Sequence, residues 1–304
     1  MPLLQQMLPS AALGAAVAAA LLFVLYSWKS ASRCAGAIAI GAGYVAGHAL
    51  VAGWSPFPPR HATHWLFWFA VIGVIAAAAD TLVRPKGTVR LVTWAIICTI
   101  ACRLILQPKF SYAWSAAEGW LRVYAIALGI VILTFCLELV ERGPFGTATL
   151  FSVATVLCGG ACVALILSGS LLLGQLASIL SAIAAACFLL IIAARARLHW
   201  SGAAAPLSLV CAGLWLSGFF YAELPAASVL FLALAPAVAL LPVGKESHSQ
   251  SRVLAYRIAF VAVPVAIAVI LALHASPPIT TDAWSGVYLW PAVRGASQIA
   301  WRMK

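Results

Sequence analysis

The chain has 304 residues, of which 64% are hydrophobic and only 8% charged. Soluble domains carry about a quarter charged residues, so this composition excludes a soluble globular protein, a disordered chain, a nucleic-acid-binding domain and a secreted disulfide framework. The net charge of +11, from 18 Lys+Arg against 7 Asp+Glu, contains no dense basic run. It reads as the loop bias of a membrane protein: the bilayer is the partner, and nucleic acid is not.

About 20 apolar residues cross a 30 Å hydrocarbon core. Ten such segments follow one another, over roughly 9–28, 34–53, 65–83, 89–107, 118–140, 147–167, 171–193, 203–221, 225–243 and 253–274. The expected fold is therefore all-α: a polytopic helical membrane protein of about ten transmembrane helices, with short loops and no soluble domain. Residues 1–274 form the single transmembrane domain, and 275–304 an interfacial tail carrying Trp284, Tyr288, Trp290 and Trp301.

The first segment has no basic residue before it, while Lys29 and Arg33 follow it. That is the reverse of a cleavable signal, so it reads as a retained span inserted with its N-terminus outside. Breaks at 29–33, 53–64, 84–90 and 107–117 are polar or rich in Pro and Gly. No Asp, Glu, Lys or Arg lies between Arg142 and Arg195. One helix of that length would reach about 78 Å, so the chain must turn back, with Ser168-Gly169-Ser170 as apex. Glu223-Leu224-Pro225 marks a second tight hairpin.

With the N-terminus outside, the inner ends collect Lys29, Arg33, Arg84, Lys86, Arg90, Arg142, Arg195, Arg197, Lys245, Arg252 and Arg257. The outer ends keep only Arg60, Arg103, Lys109, Arg122, Arg294, Arg302 and Lys304. The expectation is an integral protein of a cell membrane, of the bacterial inner-membrane type, with both termini on the outer side. Most Trp residues, including Trp54, Trp65, Trp68, Trp114, Trp120 and Trp215, then fall near the outer face, as does His48.

All eight cysteines sit in apolar runs; Cys98/Cys102 and Cys158/Cys162 share helix faces at i,i+4. They read as small hydrophobes that let helices pack closely, with no metal site or cofactor called for. No phosphate-binding Gly-rich loop, His-Glu-x-x-His, Gly-x-Ser-x-Gly or dinucleotide fingerprint is present.

Eight residues stand out as a substrate-binding set on the outer side. The Pro-rich loop Gly53–His64 presents Arg60, His61 and His64, suited to an anion or to proton transfer, with three metal ligands (His48 included) as a lesser reading. Arg103 lies about one turn inside its span, and Glu118 and Arg122 share a face at i,i+4. Glu223, with Tyr221 beside it, is the only acid between Arg197 and Lys245. A carboxylate at such an apex reads either as an ordinary turn Glu exposed to solvent or as one paired with a basic group; under the carrier and enzyme readings Glu223→Gln is expected to abolish activity. Glu138 with Arg142, and Asp80 with Arg84, read as ordinary helix-end pairs.

A small-molecule transporter or permease-like carrier with an outer-face polar site ranks first. The alternative is a non-catalytic subunit of a larger membrane assembly, or a homo-oligomer; the third is a membrane enzyme using the outer His, Arg and Glu side chains.

Overall fold

Helix Ala204–Tyr221 is the axis of the molecule: every residue from Ala204 to Gly218 is buried. A helix that is apolar all round belongs inside other helices, and this one contains no charged residue to orient it towards water. The computed structural model describes residues 2–27, 34–85, 87–143, 146–193, 202–241 and 250–276. It contains α1 (Pro2–Ser27), α2 (Ala35–Ala52), α3 (Ala62–Val83), α4 (Gly87–Ile105), α5 (Gln107–Tyr112), α6 (Ala116–Arg142), α7 (Gly146–Leu167), α8 (Leu171–Ala193), α9 (Ala204–Tyr221), α10 (Ala226–Val238) and α11 (Gln250–Ala275). Among the described residues there is no strand. Eight of these helices, all but α1, α5 and α10, are long and apolar enough to cross a membrane. The chain is a polytopic helical membrane protein.

Nine of the ten apolar segments coincide with helices to within a few residues, the exception being α1, which begins earlier, at Pro2. The ninth is shorter than expected. It stops at Val238, because Pro236 interrupts the hydrogen-bond ladder and the chain tightens into i→i+3 turns at Leu240 and Leu241. The segment 107–117, expected as loop, holds the short helix α5, with Pro108 in its first turn where a missing N–H does no harm. Both tight hairpins are present. Gly169 turns the chain at φ 85° between α7 and α8, and α9 passes to α10 through 222–225. The tail beyond Ser276 lies outside the described residues.

Successive reversals put the loop 53–61, α5, Ser168–Ser170, Glu223 and Ser276 at one end of the bundle, here the Trp54 end. Arg84, Arg142 and Ala203 lie at the other, the Arg142 end.

In lipid the hydrophobic effect does not drive helices together; close packing and interhelical hydrogen bonds do. Small residues make the approaches. A Cβ on Gly14 of α1 would sit 3.0 Å from the carbonyl oxygen of Gly43 on α2. Gly73 of α3 faces the backbone of Pro206 on α9. Hydroxyl bonds add ties: Thr134 Oγ1 donates to Ser208 Oγ at 2.8 Å between α6 and α9, and Ser228 Oγ to the Ala268 carbonyl at 2.9 Å between α10 and α11. Such bonds contribute about 0.6 kcal/mol each in membrane proteins.

The cysteines fit this pattern. Cys98, Cys102, Cys158, Cys187 and Cys211 are buried and none forms a disulfide. Cys158 on α7 and Cys211 on α9 meet at 3.6 Å between sulfurs.

Candidate functional site

The eight residues singled out in the sequence divide into separate groups at the Trp54 end. In the loop before α3, which holds a cis Phe57–Pro58 bond, the Arg60 backbone N–H donates to His64 Nδ1 at 3.4 Å. The rings of His61 and His64 lie 5.2 Å apart between centroids. His64 therefore helps organise the start of α3. His48 Nε2 is bonded to the Thr63 carbonyl at 3.2 Å. Among the described residues no three His, Cys, Asp or Glu side chains gather as a metal ion would require.

Arg103, Glu118, Arg122 and Tyr221 are brought together around α5, each by a different contact. The Arg103 guanidinium lies 4.1 Å from the centre of the Phe110 ring. Arg122 pairs with Glu118 one turn away and covers Trp114 at 4.7 Å. Ser115 caps α6 by accepting from the Glu118 N–H at 3.4 Å. Tyr221 donates its hydroxyl to the Ile105 carbonyl at 2.8 Å, satisfying the exposed end of α4. The whole is an aromatic and cationic collar of the kind that seats a helix bundle at a membrane interface.

Glu223 follows the exposed-turn alternative. It is exposed, and no ion pair holds it among the described residues. The reason is local: Leu224 N–H bonds back to the Gly218 carbonyl at 3.0 Å, so Glu223 occupies the left-handed position that closes a helix, with φ 55°. A residue with a Cβ is strained there, and its side chain is thrown outward. The paired carboxylate that motivated Glu223→Gln is thus absent. Instead, Glu223→Gly is expected to stabilise the protein by about 1 kcal/mol, read as a rise in the midpoint of thermal unfolding in detergent.

The charged cluster that does lie in the bundle is at the Arg142 end. Asp80 of α3 does not use Arg84, whose backbone N–H closes α3 on the Asp80 carbonyl at φ 47°. Asp80 Oδ2 instead accepts from Arg90 Nε of α4 at 2.8 Å and from Trp94 Nε1 at 3.1 Å. The other arm of the Arg90 guanidinium donates to Glu138 Oε1 of α6. Glu138 Oε2 also faces Arg142 at 3.6 Å. Exposure of the Asp80, Arg90 and Glu138 side chains is only 20%, 17% and 10%. One turn on, Glu141 Oε1 accepts from the Ala203 N–H at 3.2 Å, holding the first turn of α9 with a carboxylate where the helix dipole favours one. Three helices are thereby clamped at this end, and the axis helix is anchored to one of them.

Between these ends runs a buried polar line that the sequence reading passed over. Tyr44 and His48 stand one turn apart on α2, their rings 5.9 Å between centroids, and both are fully buried. The ring of Phe67 on α3 lies 5.7 Å from His48 and 5.0 Å from Trp54. Trp68 follows at 5.5 Å from Phe67, and Phe57 at 5.3 Å from Trp68. The series begins at buried Tyr44, beside the Cys158–Cys211 pair, and ends at Trp54 and Phe57, which are 73% and 78% exposed. Along it, Tyr44 Oη, His48 Nδ1, Ser55 Oγ and Trp68 Nε1 are buried without a hydrogen-bond partner.

Ser217 Oγ on α9 is buried and unpartnered as well. On α9, Gly213 meets α3, Ser208 meets α6 and Cys211 meets α7. At 100° per residue, Ser217 lies about 20° from Pro206, which meets α3, so it is on the α3 side of α9. It belongs to the half of α9 nearer the Trp54 end. Comparison with protein-family models, with curated proteins and with solved structures finds no match to this chain.

Proposed function

We propose that the chain is a small-molecule carrier whose substrate enters at the Trp54 end and follows the polar line between α2, α3 and α9. The observation that supports this reading is that five of the seven unpartnered buried side-chain atoms among the described residues, Tyr44 Oη, His48 Nδ1, Ser55 Oγ, Trp68 Nε1 and Ser217 Oγ, belong to α2, α3, the loop between them and α9; the other two are Trp215 Nε1 and Arg257 Nε. A buried polar group without a partner costs about 1–3 kcal/mol, and hydrocarbon offers none. A chain that served only as scaffold would gain by replacing such groups with apolar ones. A path that takes water or a polar solute has a use for them. The Asp80–Arg90–Glu138–Arg142 cluster would close that path at the opposite end, and the basic residues near it support a cytoplasmic position for this end in a membrane of the bacterial inner type.

The collar of Arg103, Lys109, Glu118, Arg122 and Tyr221, together with Arg60, His61, His64 and Glu223, frames the outer mouth in this reading. Exposed apolar side chains on α4 and α6, such as Ile96, Ile100, Leu128 and Ile132, are what a lipid-facing surface needs and give the assembly-subunit reading no separate support. The enzyme reading required Arg103 and Glu223 to converge with the histidines. Arg103 is engaged by Phe110, and Glu223 stands in an exposed turn.

The test is reconstitution of the purified chain into liposomes incubated with a cell-extract metabolite mixture. Mass spectrometry of the vesicle contents is expected to find at least one solute enriched at least several-fold over protein-free liposomes. No enriched solute from a correctly folded preparation, or native particles in mild detergent that always carry other chains, would count against a self-sufficient carrier.

A further inference from the structure

We infer that the interior site beside Tyr44 and His48 takes a small uncharged molecule, one that offers a hydrogen-bond donor and an acceptor on a flat apolar body. The inference rests on the carrier reading for its physiological use but not for the existence of the site. Charge complementarity carries the first part. Helices α1, α2, α7, α8 and α9 contain no Asp, Glu, Lys or Arg between them. An ion placed among them would lose its hydration and meet no counter-charge, which costs several kcal/mol even after relaxation. The charged clusters lie at the two ends of the bundle, where Arg90 is occupied by Asp80 and Glu138, and Arg122 by Glu118.

The hydrogen-bonding pattern carries the second part. A backbone carbonyl only accepts, so the Thr63 carbonyl fixes the proton of His48 on Nε2. Nδ1 is then a bare acceptor, fully buried. One turn away the Tyr44 hydroxyl is a donor with nothing to donate to. A ligand with one donor and one acceptor would satisfy both at once. The aromatic series Tyr44, His48, Phe67 and Trp54 supplies rings for the remainder of its body to lie against.

The experiment uses the full chain in detergent and reads thermal unfolding. The probes are uracil, phenol and indole as neutral rings, and benzoate and tyramine as charged ones. In ligand-free protein, Tyr44→Phe removes an unsatisfied hydroxyl without changing the packing, so it is expected to raise the unfolding midpoint by a few degrees. At least one neutral probe should raise the midpoint of the parent chain, with benzoate and tyramine leaving it unchanged. Tyr44→Phe should weaken that probe by about two- to ten-fold. A Tyr44→Phe midpoint below that of the parent would mean the hydroxyl is structurally bonded and would overturn the site. Stabilisation by the charged probes alone, or by none of the five, would overturn the ligand class. Binding of a neutral probe with no uptake into proteoliposomes would leave the site standing and remove the carrier reading.

Discussion

Replacing Arg90 with alanine is expected to destabilise the protein by about 3–5 kcal/mol, a large part of the stability of an ordinary domain. The guanidinium is the only link in which one side chain bonds α3, through Asp80, and α6, through Glu138, among the described ion pairs. Both carboxylates are mostly enclosed, so alanine leaves two charges near hydrocarbon facing each other with their countercharge gone. Arg142 offsets little, because it approaches only Glu138, at 3.6 Å, and is itself exposed. Arg90→Lys should fall between the two, since one ammonium cannot reach two carboxylates in a planar fork. Replacing all three groups together, as Asp80→Asn, Arg90→Met and Glu138→Gln, should recover much of the loss, because no unpaired charge remains. Thermal and denaturant unfolding in one detergent would compare the series. If Arg90→Ala lies within about 1 kcal/mol of the parent, the cluster does not clamp this end.

Gly73→Val is expected to pull α3 away from the axis helix. A Cβ at Gly73 would lie 2.8 Å from the Pro206 nitrogen and closer still to its Cα. These are backbone atoms of a buried helix, and Pro206 lacks the N–H and the torsional freedom that would let the first turn of α9 adjust. Overpacking of this kind costs about 1–3 kcal/mol for small intrusions, so Gly73→Ala should fall in that range and Gly73→Val above it. Gly129 on α6 provides the control, since a Cβ there meets nothing within 4 Å. Gly129→Ala should leave the unfolding midpoint unchanged or slightly raised. Because Gly73 and Asp80 lie on the same helix, α3, Gly73→Val should also loosen the Arg90 cluster. That effect is readable through Trp94, whose indole N–H bonds to Asp80.

The spans were legible because crossing a bilayer imposes one length and one composition, and α2 to α4, α6 to α9 and α11 obey it. The early end of α10 was legible only in part: Pro236 is visible in the sequence, but the tightened turns at Leu240 and Leu241 depend on how the chain folds over. Charge pairs at i,i+4 were readable where both partners stay on the helix, as with Glu118 and Arg122 and with Glu138 and Arg142. The same rule misled at Asp80, because Arg84 has already left α3 and lends only its backbone. The true partner, Arg90, lies across a hairpin, and the third, Glu138, on a distant segment.

Glu223 shows the converse. Its isolation in an apolar stretch left an exposed turn and a paired carboxylate both open, and the left-handed turn that ends α9 carries it to the surface. The interior line left a faint signal: Tyr44 and His48 are one helical turn apart in an otherwise aliphatic and glycine-rich segment. What makes them notable is the lack of partners, and that exists only once α1, α3, α8 and α9 are packed around α2.

The central claim is that the interface between α2, α3 and α9 is a path and not merely core. Two serines on α9 test it, because both are buried, Ser217 to 1% exposure and Ser208 to 0%. Ser208 is bonded to Thr134 on the α6 side, whereas Ser217 faces the proposed path with no partner. Each would be replaced by cysteine in turn, and alkylation by the small neutral reagent iodoacetamide followed by intact mass against the parent chain. The account predicts one additional adduct on Ser217→Cys at a rate at least ten-fold that of Ser208→Cys, which stays unmodified in the folded protein. Equal inertness of the two positions would contradict it and return this interface to ordinary helix packing.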